Sequence, residues 1–201
     1  MNSDLRIPSG LRRIPDDRGG IYAFHLRIPE SYELGIDKSS SIQELLRAKK
    51  NLLTKIDRIS VAYKSTEWFG VLAESKASHI AVNIEASVAT CFAPLASEIA
   101  AERLDDQVSA ARFLNYLNTL REYSVFFPPL YVGICIDQSL RTRIKQHYAG
   151  NSNVDHQLKG AKLTWADVVA SFVPVLSEFR NDQRNLEKVI QHIIGPRFSR
   201  M

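Results

Sequence analysis

Two side chains on one predicted helix raise the first chemical question. Residues from about Ser139 to Tyr148 read as a helix that stops at Gly150. Winding it at about 100° per residue puts Leu140 and Ile144 on one apolar stripe, with Arg143 and His147 flanking it. Arg141 and Lys145 lie about 100° and 140° from Leu140 and point elsewhere. An arginine and a histidine beside a packing face need partners, because burying either one unpaired is costly. A phosphate is one such partner and a structural carboxylate is the other. A second predicted helix, 178–194, ends at Gly195-Pro196 and carries a comparable group. Leu186, Val189, Ile190 and Ile193 form its stripe, and Glu187 sits at the edge, about 100° from Leu186. Hard carboxylate oxygens there suit Mg²⁺, which keeps most of its waters and takes one or two carboxylates. A lone helical glutamate is more often simply solvated. Two tyrosines complete the set. Tyr22 and Tyr131 read first as core aromatics, but Tyr131 shares its strand face with Gly133 and Cys135. Those small neighbours leave room for a phenol hydroxyl to meet something other than packing.

The elements that must position these groups follow from periodicity. Residues 1–19 look like an irregular arm, with Pro8, Gly10, Pro15 and the pair Asp16-Asp17. Residues 20–28 read as a strand with Tyr22, Phe24, Leu26 and Ile28 on one face. The period then changes. Ser41 and Glu44 form a capping box ahead of Ile42, Leu45, Leu46, Leu52, Leu53, Ile56 and Ile59 at helical spacing. A second, alanine-rich helix is expected over roughly 76–102, broken near Pro94. A third is expected over roughly 104–122, with Leu104, Val108, Ala111, Leu114 and Leu117 on its stripe. Pro128-Pro129 closes this block. Residues 130–136 are a clear strand, 151–163 a polar loop, and 165–176 a third strand.

These motifs, in this order, resemble the GIY-YIG nuclease family. Gly20-Ile21-Tyr22 stands where that family has its first motif, and Tyr131-Val132-Gly133 where it has Tyr-Ile-Gly. Leu140-x-x-Arg143-x-x-x-His147 resembles the helix motif that follows. Leu186-Glu187, Ile190 and Pro196-Arg197-Phe198 resemble the closing helix with its acidic residue. The match covers residues 20–28 and 130–200. Three departures stand out. Roughly 100 residues separate motifs that usually lie close together, the loop between Gly133 and Leu140 is about two residues longer than is usual for the family, and Ser199 stands where asparagine is common.

The resemblance implies an α+β fold: a small three-stranded sheet flanked by helices, interrupted by a long, mostly helical insertion. The divisions are an arm at 1–19, the first strand of the nuclease core at 20–30, the insertion at 31–127 and the rest of the core at 128–201. It implies that both tyrosine hydroxyls face the active site and that the reaction is phosphodiester hydrolysis. Tyr22, Tyr131, Arg143, His147 and Glu187 would be catalytic, with Tyr22 as general base, its hydroxyl brought down by the metal or by Arg143. Glu187 would hold Mg²⁺ or Mn²⁺. Arg141, Lys145, Lys159, Lys162 and Arg197 are candidate phosphate contacts, although a solvated face fits each nearly as well. His25, His79, His156 and His192 read as surface or structural.

Charge agrees with a phosphate-bearing partner. Residues 120–201 hold 11 basic and 7 acidic side chains, whereas 31–119 hold 10 and 11. No charge-free stretch approaches the roughly 20 residues that a membrane span needs; the apolar stretch 86–97 is 12 residues and contains Pro94. Cys91 and Cys135 match no zinc spacing, so a cytoplasmic setting is expected. The expectation is therefore a DNA endonuclease with a restriction-like or defence role, its insertion clamping DNA or forming a homodimer. The alternative is a non-catalytic module of the same fold that holds a protein or nucleic-acid partner through its near-neutral insertion.

Overall fold

The computed structural model describes residues 2–4, 8–63, 67–72, 82–87, 92–124, 127, 129–150, 152–174 and 185. The fold is α+β. Three long strands, β2 (Gly20–Leu26), β5 (Tyr131–Cys135) and β6 (Val168–Pro174), form an antiparallel sheet with β2 in the middle. The arm is not irregular. Its β1 (Asn2–Asp4) adds a fourth, edge strand beside β6, giving the order β1-β6-β2-β5, and a short helix α1 (Pro8–Arg12) follows. The segment behind α1 is pinned to the start of α5 (Leu140–Tyr148). Arg141 donates to Arg12 O at 3.1 Å and Ile14 O at 3.0 Å, and pairs with Asp16 at 2.9 Å.

The insertion begins as expected. In α2 (Ile42–Tyr63) the Ser41 N–H donates to Glu44 at 2.7 Å, closing the capping box. Leu45, Ala48, Leu52, Ile56, Ile59 and Tyr63 are buried at intervals of three and four. The next expectation fails. Residues 82–87 are not helix but strand β4 (Val82–Ser87), paired antiparallel with β3 (Glu67–Leu72). Val82, Ile84 and Ala86 alternate with Asn83, Glu85 and Ser87, a period of two that the alanine content of the region obscured. Pro94 breaks nothing. It sits in the first turn of α3 (Phe92–Ala101), where a missing N–H costs no hydrogen bond.

Helix α4 (Gln107–Tyr123) starts at Asp106, which accepts from the Ser109 N–H at 2.7 Å. Its buried side is set by Phe113 and Leu117, which leaves Val108 exposed, contrary to the expected stripe. The expected loop 151–163 instead contains a helix, α6 (Asn153–Gly160). Ser152 caps it and only Val154 and Leu158 anchor it, too few apolar positions to show a period. The expected closing helix 178–194 lies outside the described residues except for Asn185, which is helical and exposed, and Cys91, His79 and His192 lie outside them as well.

One hydrophobic cluster joins Phe24 of β2, Ile56 of α2, Phe113 of α4, Ile144 of α5, Leu158 of α6 and Phe172 of β6. The insertion is thus part of the core and not an appendage. Ion pairs fasten the same seam. Buried Arg27 donates to Glu33 at 2.7 and 2.9 Å and to Ala166 O at 2.9 Å, while Lys55 pairs with Asp167 and Arg121 with Glu30 at 3.3 Å.

Candidate active site

Strand register brings the two tyrosine motifs together. Tyr22 pairs with Gly133 and Phe24 with Tyr131, so these side chains share the face that α5 covers. A Cβ at Gly133 would stand 2.5 Å from the Tyr22 hydroxyl, 2.6 Å from its Cζ and 2.7 Å from Tyr131 Cε1. Only glycine leaves the Tyr22 ring its place. Gly20 is constrained by backbone instead, since its Cβ would meet Val173 O at 2.3 Å.

Helix α5 supplies the other two groups. Ser139 caps it by accepting from the Thr142 N–H at 3.1 Å, and Leu140 and Ile144 are fully buried. The stripe therefore faces the sheet, and His147 follows it inward to 8% exposure. Its ring lies 5.1 Å from that of Tyr131, 5.4 Å from Phe24 and 5.7 Å from Tyr22. The Tyr22 hydroxyl and His147 Nε2 are 2.8 Å apart. Arg143, one turn earlier, is half-buried and interacts electrostatically with both phenols. Its Nη1 donates to Gln146 Oε1 at 3.1 Å. Gln146 in turn donates to Gln138 Oε1 at 3.0 Å and accepts from Gln138 Nε2 at 3.2 Å.

Burial dominates the electrostatics. It raises the Tyr22 hydroxyl well above the ordinary phenol range, reinforced by neighbouring Tyr131 and opposed by Arg143. It lowers His147 to about 4, with the charge of Arg143 pushing the same way. For Arg143 burial acts downward, but the two phenols outweigh it and the group is held above its ordinary value. At neutral pH the site therefore presents a neutral phenol, a neutral imidazole and a guanidinium. Arg143 acts downward on the Tyr22 hydroxyl as the sequence led us to expect, but desolvation is the larger effect and the group is raised overall. Among the described residues His147 Nδ1 is buried without a hydrogen-bond partner.

The structure brings together Tyr22, Tyr131, Arg143 and His147. Glu187 and Arg197 lie outside the described residues. Arg141 is spent on the N-terminal arm. Lys145 and Lys162 are exposed, and Lys159 pairs with Asp155 at 2.6 Å. His25 meets Phe127 O at 3.1 Å and is structural, and His156 is exposed. Sequence reasoning missed Gln138 and Gln146. The spacing of three from Arg143 to Gln146 was visible, but the reach of Gln138 from the long loop after β5 was not. It also missed Trp165, whose ring lies 5.2 Å from Phe24 and whose indole N–H donates to Asp155 at 3.2 Å.

The described part of the cluster consists of two phenols, an imidazole and a guanidinium, which is chemistry for holding an anion and passing a proton. Among the described residues no group of three or more His, Cys, Asp or Glu gathers. Glu187, the metal ligand that the resemblance implies, lies outside the described residues. A single carboxylate, with water and phosphate filling the other positions, is a donor set that Mg²⁺ accepts. Among the described residues no helix is long and apolar enough to cross a membrane. No family model, no curated protein and no solved structure matches this chain.

Proposed function

We propose that this chain is a metal-dependent endonuclease of the GIY-YIG type that hydrolyses phosphodiester bonds in DNA. The observation that carries this reading is the 2.8 Å contact between Tyr22 and His147, residues 125 positions apart, inside a cluster that also holds Tyr131 and Arg143. Four residues selected from three motifs meet on one face of the sheet, where Gly133 leaves the Tyr22 ring its place. Buried ionisable groups with shifted proton affinity are the mark of a chemical site.

The chemistry follows from that arrangement. The substrate phosphate lies against Arg143, whose charge stabilises the negative charge that builds on the phosphoryl oxygens. The attacking water meets the Tyr22 hydroxyl. As its oxygen bonds to phosphorus, its proton passes to Tyr22 oxygen, and the Tyr22 proton passes to His147 Nε2. The neutral imidazole is thus the final base, and Tyr22 is the relay that reaches the water. This route never requires a free phenolate, which burial disfavours. Tyr131 orients the water or phosphate. The P–O bond to the leaving sugar oxygen breaks with its electron pair on that oxygen, which takes a proton from solvent water, and His147 gives its proton back to solvent. Glu187 would hold Mg²⁺ or Mn²⁺, which supplies Lewis-acid stabilisation of the phosphate when bound. A restriction-like or defence role is the setting that this reading fits.

Incubating the protein with supercoiled plasmid and Mg²⁺, beside Glu187→Ala, tests it. The expected result is nicked or linear DNA from the parent alone. Equal cleavage by both proteins removes Glu187 from the mechanism, and no cleavage by the parent with either Mg²⁺ or Mn²⁺ removes the endonuclease reading.

A further inference from the structure

We propose that the solvent face of α2 is a duplex-DNA-binding surface. The near-neutral charge of the insertion conceals a division between its faces. Among the described residues, several of its carboxylates are occupied by structure: Glu33 holds Arg27, Glu44 caps at Ser41, Asp106 caps at Ser109, and Glu102 pairs with Arg112 at 3.7 Å. Lys55 and Arg121 are paired as well, but three cations of α2 are not. Arg47, Lys50 and Arg58 make no salt bridge among the described residues, and the nearest carboxylate acting on Arg47 is Glu44, already bonded to Ser41.

Helix geometry gathers those cations. At about 100° per residue, Arg47, Lys50, Asn51, Thr54 and Arg58 fall within an arc of about 100° on α2. That arc lies opposite Leu45, Leu52 and Ile56, which are buried in the core. Arg47, Lys50, Asn51 and Thr54 are exposed and Arg58 is half-buried. No carboxylate falls inside the arc, Asp57 and Glu44 lying about 20° beyond its two edges.

Positive charge along the middle of one rigid face, with one flanking acid (Glu44) held by Ser41 and the other (Asp57) at the edge, is complementary to the phosphate backbone of a duplex. The 22 residues of α2 span about 33 Å, enough to follow a groove or cross a backbone. Arginine, lysine, asparagine and threonine are also the side chains that read base edges in the major groove. Anchoring through six buried residues fixes the face relative to the sheet, so binding orders little. The choice of DNA as partner rests on the endonuclease reading, but the surface stands on its own charge and geometry.

The test uses the full chain carrying Glu187→Ala, so that DNA is bound without being cut. Fluorescence anisotropy with a short labelled duplex is read from about 50 to 200 mM salt. Arg47→Ala/Lys50→Ala/Arg58→Ala, folded by circular dichroism, is expected to reduce the log–log salt slope by about 2 to 3 and to weaken low-salt affinity about tenfold or more. Lys50→Ala alone, the milder variant, should reduce the slope by about 1. A slope and affinity equal to the parent's in both variants overturn the proposal, as does a duplex RNA bound tighter than DNA. Failure of the endonuclease reading looks different. The parent then binds with its full slope and the variants lose it, yet the parent with Glu187 intact cuts nothing.

Discussion

Helices α5 and α2 lie on the same hydrophobic core and treat their polar residues in opposite ways. Helix α2 keeps every cation outside its buried stripe and would be a stable amphipathic helix in any protein. Helix α5 turns His147 inward until it is 8% exposed and sets half-buried Arg143 beside two phenols. Nothing about packing requires this. An aliphatic residue at position 147 would fill the same space without an unpaired Nδ1. The difference teaches where this molecule holds polar groups at a cost in stability, which is the usual trade at a chemical site. On the endonuclease proposal, α5 carries the chemistry while the buried stripe of α2 carries stability, and variants of the two should separate.

The largest expected effect is on cleavage. Arg143→Ala removes the charge facing the phosphate and should lower single-turnover cleavage by about 100-fold or more, with a melting temperature close to the parent's. A loss below about threefold would place Arg143 outside the reaction. Ile56→Ala is the reciprocal variant. Ile56 is 1% exposed in the middle of α2, so the cavity should cost about 2–5 kcal/mol in denaturant unfolding while the residual folded protein still cuts. Normal stability would mean that α2 is not part of the core.

His147 gives a prediction with a sign. Its proton affinity in the folded chain, near 4, is below its ordinary 6.5, so the unfolded chain takes up the proton first as pH falls. The neutral imidazole therefore favours folding most fully above about pH 6.5, and that contribution is lost as pH drops toward 4. The loss approaches about 3 kcal/mol. Unfolding measured across this window should show His147→Gln losing less stability than the parent by that amount. Parallel curves would contradict the assignment. Gly133→Ala should come next. The added methyl meets the Tyr22 ring, and overpacking of about 1–3 kcal/mol should accompany displacement of the hydroxyl from His147 and a fall in cleavage. The smallest effect belongs to the exposed Gln146. Gln146→Ala frees the guanidinium of Arg143 and should lower the rate by a few fold without changing the melting temperature.

The active cluster was more legible than the block inserted into it. Helical winding placed Arg143 and His147 beside the packing stripe, and strand alternation put Tyr131 and Gly133 on one face, because both arguments need only local periodicity. The capping box at Ser41 and the spacing of Leu45, Leu52 and Ile56 made α2 equally clear. What escaped was long-range or brief. The pairing of Asn2–Asp4 with β6 depends on a partner about 170 positions away, and α6 offers two apolar anchors in eight residues. Strand β4 was hidden because the alanines around it favour helix and masked its short period of two. The neutral state of Tyr22 was also invisible, since desolvation depends on what the fold stacks around the ring.

The most direct measurement of the central claim is single-turnover cleavage of a DNA substrate by Tyr22→Phe. The substitution keeps the ring against Phe24 and Tyr131 and removes only the hydroxyl that meets His147. The proton relay predicts a rate lower by about 100-fold or more, with DNA affinity unchanged. Cleavage at the parent's rate would contradict it.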